Sequence, residues 1–352
     1  MDSFGIYVLT YPGDYHLSTA LISSLKHFHP DIPIVIIPGE GFDINDHPFD
    51  VPVMSEPQGF WGKMGHADRK LWVFQGEFQK FLYLDADMIC TRPIKNLIDR
   101  IMAQKDKFIF AQEETGKSTA WTEAITNKNH ERHDACVAMV RSQLGNPDYI
   151  SQFDTQYDPY NRYPFNTGIF ACSIDTLPES AFEELNIKER DFYTTHIGKE
   201  FSWKSYDLFF GDQGRINYLI IKLNIPVLDL YPDGHFLWGG TAKEVKVDDV
   251  LNGDVGFSFI HWAGCPRPSP SLFCKGLGLQ VLRRTDKCLK AGYNELYEMP
   301  GYSVWQYFWS DAGKTPATFK DRLAWSLKDL KKIVSSSVPA FKAMVKRILR
   351  IP

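Results

Sequence analysis

The chain has 352 residues, of which 44% are hydrophobic, 23% charged and 14% aromatic, and it carries a net charge of −4. That balance is ordinary for a globular protein with a large core and at most two or three domains. The slight acidity excludes a nucleic-acid binder that works by overall charge, and no apolar run reaches the roughly 18 residues of a spanning helix.

The opening stretch has neither a basic region nor a long apolar core, so it reads as the start of a strand and not as a signal peptide. Gly5–Thr10 is that strand, closed by a turn at Pro12 and Gly13. Leu17, Ala20, Leu21, Ser24 and Leu25 then fall at helical spacing, and Pro33–Ile37 is a second strand. Strand, helix, strand makes a βαβ unit, which implies parallel strands. Gly65–Phe74 reads as a helix leading into the buried strand Phe81–Leu84, which runs into Asp85-Ala86-Asp87. A helix at Ile94–Met102 and a strand at Phe108–Ala111 follow. The first 111 residues therefore read as an alternating α/β half-domain of the nucleotide-binding kind.

Regularity is lost from Gln112 to Tyr163, an insertion with at least one helix, expected at Ala135–Leu144. It returns with a strand at Phe165–Cys172, a helix at Gln213–Leu223 and strands at Pro226–Leu230 and Phe257–His261. The six cysteines lie at 90, 136, 172, 265, 274 and 288, none at C-x-x-C spacing. Scattered cysteines in a chain this long suit a reduced, cytoplasmic protein.

The segment 314–352 differs in kind. It holds ten basic residues against Asp321 and Asp329, a net +8 that leaves −12 on the rest. Phe319, Leu323, Leu327, Leu330 and Val334 recur at helical spacing, as do Phe341, Met344, Val345 and Ile348. Two basic amphipathic helices of this form suit an anionic membrane surface. A helix docked on the domain with a solvated basic back would give the same pattern.

Chemistry-bearing residues gather at the expected strand ends, where α/β sheets bind ligands. Two carboxylates at 85 and 87 can converge on a hard divalent cation and a diphosphate. By itself that spacing fits a solvated strand-to-loop turn better. Leu9-Thr10-Tyr11 and Tyr15 follow the first strand, and the amide of Asn166 could meet sugar hydroxyls. Asp212-Gln213 precedes a helix, where Asp212 would also serve as an N-cap. His261 could be a further metal ligand, and Arg267 could clamp a diphosphate.

The order of the stretches LT…Y (Leu9, Thr10, Tyr15), Lys70-Leu71, LYLDADM (82–88), FNTGIF (165–170), DQGRIN (212–217) and HWAGCPRP (261–268) resembles glycosyltransferase family 8. The resemblance spans about residues 5–275. It implies a GT-A-type, Rossmann-like mixed α/β sheet flanked by helices, a nucleotide-diphosphate sugar donor (a UDP-sugar) and Mn²⁺, or Mg²⁺ in its place. By that resemblance Asp85, Asp87 and His261 would hold the metal, and Asp85-Ala86-Asp87 would meet the diphosphate. Leu9, Thr10 and Tyr15 would line the nucleoside site. Lys70, Asn166 and Gln213 would touch the donor sugar, with Asp212 beside its anomeric carbon. Arg267 stands where the family has a lysine on the diphosphate, and the Tyr11–Asp14 turn is one residue longer than the family pattern.

The expected organisation is a catalytic domain at 1–285, with 112–163 as an acceptor region, and a basic helical segment at 286–352. The expected protein is a retaining hexosyltransferase of polysaccharide or lipopolysaccharide synthesis. It would take a glycan or lipid-linked acceptor at the cytoplasmic membrane face. An inverting enzyme with Asp212 as base, a sugar nucleotidyltransferase and a non-catalytic carbohydrate- or membrane-binding module remain as alternatives.

Overall fold

The computed structural model describes residues 3–46, 51–112, 123–125, 127–160, 164–203, 205–239, 242, 245–263, 268 and 301–311. Arg267, three of the cysteines, the boundary near residue 285 and the basic segment 314–352 lie outside them. The chain divides into two compact units. One comprises residues 1–15, 29–86 and 93–236, and the other 16–28, 87–92 and 237–352.

In chain order the strands are β1 (Phe4–Thr10), β2 (Ile34–Pro38), β3 (Lys80–Asp85), β4 (Met88–Cys90), β5 (Ile109–Ala111), β6 (Ile169–Ser173), β7 (Val227–Asp229), β8 (Phe236–Trp238) and β9 (Phe259–His261). The α-helices are α1 (Tyr15–Phe28), α2 (Lys95–Ala103), α3 (His133–Gln143), α4 (Pro147–Phe153), α5 (Glu179–Phe192), α6 (Gly211–Lys222), α7 (Val247–Leu251) and α8 (Tyr302–Asp311). The stretch expected as an α-helix before β3 is a 3-10 helix, His66–Gln75.

The first unit is built on a six-stranded sheet in the order β2-β1-β3-β6-β5-β7. The sheet is mixed, as the resemblance implied. β2, β1 and β3 are parallel, and β6 runs antiparallel between β3 and β5. β1 and β3 are short apolar runs buried almost throughout. Such uninterrupted strands belong at the centre of a sheet covered on both faces. Register then places function: Leu9 lies opposite Asp85 across β1 and β3, and Leu84 lies opposite Ile169 across β3 and β6. The carboxyl ends of β1 and β3 and the turn that enters β6 therefore sit side by side.

β6 begins later than its apolar run suggests. Asn217 of α6 accepts from the Phe165 N–H at 2.9 Å and donates to the Phe165 carbonyl at 2.9 Å, taking that residue out of any ladder. Asn166 Oδ1 accepts from the Gly168 N–H at 2.7 Å and closes a tight turn.

The second unit contains a three-stranded sheet, β4-β9-β8. Its antiparallel register sets Met88 opposite His261 and Cys90 opposite Phe259. Ser24 of α1 accepts from the Cys90 N–H at 2.9 Å, and the Trp305 indole of α8 donates to the His16 carbonyl at 3.3 Å. Among the described residues no helix is long and apolar enough to cross a membrane.

Candidate functional site

In the first unit the centre of the site is the Lys70 ammonium, carried on the 3-10 helix. Its Nζ lies 2.8 Å from Asp212 Oδ2, 3.3 Å from Asp85 Oδ1 and 3.3 Å from the Thr167 carbonyl oxygen. A lysine has three protons to donate, and here three acceptors converge on it. The ammonium also stands over the Tyr83 ring, 5.1 Å from its centroid. Burial pulls the Lys70 pKa down, but the carboxylates of Asp212 and Asp85 outweigh it, and the pKa stands above the usual lysine value.

Each partner is held in turn. Tyr83 donates its hydroxyl to Asp85 Oδ1 at 2.7 Å, and the Asp85 N–H donates to the Gly168 carbonyl at 2.7 Å. Burial, and then the Asp85 carboxylate, push the Tyr83 phenol well up, so it stays a donor. Asp85 keeps 29% of its side chain exposed, whereas Asp212 keeps 10%. Thr167 donates its hydroxyl to Asp212 Oδ2 at 3.0 Å and its N–H to Gln213 Oε1 at 3.3 Å. The Gln213 amide donates to the side chain and the backbone carbonyl of Gln143. Both halves of that amide are therefore fixed in direction.

Asp212 is not an N-cap. α6 starts at Gly211, its cap residue Phe210 makes no side-chain capping bond, and the Asp212 carboxylate points to Lys70 and Thr167 instead. The helix supplies a favourable position all the same, because a carboxylate in a first turn faces unpaired N–H groups.

Leu9 and Thr10 are buried at the end of β1, beside Asp85 in register. The ring of Tyr11 follows them and packs over Gly39, where a Cβ would come within 2.2 Å of it. Tyr15 is engaged elsewhere. Its hydroxyl donates to the Asp43 carbonyl at 3.1 Å and accepts from the Asp43 N–H at 2.7 Å, with its ring edge-on to Phe42. Asn166 lies in the turn beside Thr167, its side-chain oxygen spent on Gly168.

In the second unit Asp87 and His261 meet. The antiparallel pairing of Met88 with His261, and a bond from the Trp262 N–H to the Asp87 carbonyl at 3.0 Å, bring the two side chains together. His261 Nε2 lies 3.4 Å from Asp87 Oδ1, and both groups are buried. The Trp238 indole is stacked on the imidazole, 5.3 Å between centroids at 16°.

Asp85 precedes Asp87 by two residues, and Asp85, Asp87 and His261 could together hold a metal ion. Two carboxylates and an imidazole form a donor set that suits a divalent cation such as Mn²⁺ or Mg²⁺, with positions left for phosphate oxygens. The fit is chemical: an aspartate buried against an imidazole is a position that a cation would relieve.

Several residues of this arrangement were not picked out from the sequence: Tyr83, Thr167, Asn217 and the buried ion pair between Asp68 and Arg215. Tyr83, Thr167, Arg215 and Asn217 lie inside the stretches LYLDADM, FNTGIF and DQGRIN, which was the available signal.

No protein-family model matches the chain, and no curated protein matches its sequence. Solved structures do match by shape. The apo structure of the bifunctional glycosyltransferase WbbM aligns at 13% identity and TM-score 0.49, over 94% of this chain and 51% of that one. This chain thus spans about half the length of WbbM. The galactosyltransferase LgtC in complex with donor and acceptor sugar analogues aligns at 11% identity and TM-score 0.48, over 90% of this chain and 99% of that one. GlyE of Streptococcus pneumoniae TIGR4, a glycosyltransferase in apo form, aligns at 12% identity and TM-score 0.45, over 89% and 62%.

Proposed function

We propose that the protein is a metal-dependent glycosyltransferase. It moves a hexose from a nucleotide-diphosphate donor, a UDP-sugar, to a glycan or lipid-linked acceptor with retention of anomeric configuration. The observation that carries this reading is the donor set Asp85, Asp87 and His261, where β3 ends at Asp85, a turn carries Asp87, and Asp87 meets His261. A divalent cation held there by Asp85, Asp87 and His261 would supply a counter-charge to a diphosphate leaving group.

The protein's own groups do the rest. Leu9 and Thr10 offer an apolar wall and a hydroxyl at the end of β1 for the nucleoside, with Tyr15 at its margin. Arg267 takes the diphosphate with Asp85-Ala86-Asp87. Lys70, Asn166 and Gln213 line the donor sugar, Lys70 by its charge, since its three protons already go to Asp212, Asp85 and Thr167. Asp212 lies beside the anomeric carbon, where its negative charge favours a centre that becomes positive in the transition state. Lys70 holds Asp212 in place and is itself fully coordinated, so neither needs to reorganise far when the donor enters.

The test is release of nucleoside diphosphate from a panel of sugar nucleotides with Mn²⁺ or Mg²⁺, with and without acceptor. Asp87→Ala is expected to lose at least about a hundredfold in kcat, the size usual for removing one electrostatic stabiliser. Full activity of that variant in chelator-treated buffer would overturn the metal reading. NMR of the product's anomeric proton decides between retention and inversion.

A further inference from the structure

The first unit contains a second ion-pair system that the proposed reaction does not use. Arg215 lies three residues after Asp212 on α6, and Asp68 lies two residues before Lys70 on the 3-10 helix. Arg215 Nη1 donates to Asp68 Oδ1 at 2.8 Å, while Nε and Nη2 donate to Glu189 of α5 at 2.9–3.2 Å. All three side chains are 1% exposed. The guanidinium lies against the Trp203 ring, 5.2 Å from its centroid.

The same two elements are thus joined twice, with acid and base exchanged. The 3-10 helix gives Asp68 to Arg215 and Lys70 to Asp212, while α6 gives the complementary partner each time. Shifting α6 by one turn would bring Arg215 towards Lys70, or Asp212 towards Asp68, setting like charge against like. A buried charge network of this kind is a weak source of stability, because desolvation offsets most of the attraction. Its strength lies in specifying one register out of several.

We propose that Asp68 and Arg215 are positioning residues, whose buried bond fixes α6 on the 3-10 helix and so holds the Asp212 carboxylate on the Lys70 ammonium. The meaning of that pair as the donor-sugar end of the site rests on the glycosyltransferase reading; the positioning itself does not.

The experiment measures the reactivity of Lys70 in the full chain without any sugar nucleotide. Competitive acetylation is followed by mass spectrometry, with Lys80 as the internal reference. Lys80 is also buried, and it donates to the carbonyls of Met102 and Gln104, away from this network. Asp68→Ala and Asp68→Asn remove the same charge, but only the amide oxygen of Asp68→Asn still accepts from Arg215. The expected result is acetylation of Lys70 about tenfold faster in Asp68→Ala, with Lys80 unchanged and Asp68→Asn close to wild type.

An equal rise in both variants would mean charge and not positioning. An equal rise at Lys70 and Lys80 would mean general loosening, and no rise would mean that the tie does nothing. Each of these overturns the proposal. Should Asp68→Ala fail to fold, Arg215→Lys takes its place with the same criteria, since an ammonium cannot span both carboxylates as the forked guanidinium does. If no sugar nucleotide turns over in wild type, the functional reading fails while the acetylation pattern still decides this proposal. If turnover is found, Asp68→Ala is expected to lower kcat more than it raises KM, with Asp68→Asn restoring it.

Discussion

Asp68 and Glu189 share one guanidinium, so the buried network holds one negative charge more than Arg215 balances. Burial therefore pushes the Asp68 carboxyl up to about 7, with Arg215 opposing and Asp212 and Glu189 adding to the rise. Burial raises Glu189 as well. The sign of the consequence is fixed by linkage. The native state keeps a proton on Asp68 where the unfolded chain, with the ordinary value of 3.8, has lost it. Stability from this group is present at low pH and falls as pH rises from about 4 to about 7, by at most about 1.4 kcal/mol per pH unit. Asp68→Asn removes that slope. Urea unfolding of both proteins across this range is expected to show the wild type losing ground to the variant as pH rises, and parallel curves would contradict the raised carboxyl. The same residues show what one sequence conceals. Asp85, Asp87, His261 and Asp212 stood out because their chemistry falls at strand ends and helix starts, and Lys70 through the family resemblance alone. Asp68, Glu189 and Arg215 did not, since their bonds join residues 147 and 26 positions apart and, apart from the stretch DQGRIN that holds Arg215, no local pattern marks them.

At the scale of elements, α6 is seated by its closest approach to the loop after α3. Gly214 lies where a Cβ would come within 2.1 Å of the Leu144 carbonyl oxygen, and Gly145 would meet the Leu208 carbonyl oxygen equally closely while holding φ at +137°. Asn146 and Phe210 then bond across the gap, N–H to the carbonyls of Leu208 and Leu144 at 3.0 and 2.9 Å. Alanine favours a helix interior over glycine by up to about 1 kcal/mol, but a clash with backbone cannot be relieved by a rotamer change. Gly214→Ala is expected to cost about 1–3 kcal/mol net and to displace Gln213, its neighbour. A denaturant midpoint at or above that of wild type would show the contact to be slack. The elements with apolar runs or stripes were legible in the sequence: β1, β2, β3, α1 and α6, and with them α2, α3, β5, β7 and β9 close to the expected bounds. α5 was not, because Asn186 and Glu189 are turned inward with Phe182 and Leu185 while Ile187 is exposed, so its apolar stripe is broken. β4 and β8, of three residues each, were not read from the sequence. The antiparallel direction of β6 was also hidden, since a strand's apolar run is the same read either way.

At the scale of the whole molecule the charge is polarised along the chain, with +8 on residues 314–352 and −12 on the remainder. We propose that this basic segment brings the enzyme to a lipid-linked acceptor on an anionic membrane surface. Each lysine or arginine near such a surface contributes about 1 kcal/mol, within a Debye length of about 8 Å at physiological salt. Ten bases with apolar residues at helical spacing therefore offer more attraction than the acidic remainder offers repulsion, because the remainder is spread over a body far larger than that length. The prediction is co-sedimentation of the full chain with vesicles containing phosphatidylserine at low ionic strength, with little binding to vesicles of phosphatidylcholine alone. A part of the binding that survives about 1 M salt, where screening reduces the reach to about 3 Å, would measure the apolar stripes separately from the charge. A chain ending at Gly313 is expected to stay in the supernatant at every salt concentration while keeping its activity on a soluble acceptor. If that shortened chain sediments as the full one does, the membrane-binding surface lies in the body of the protein and the basic segment has another use.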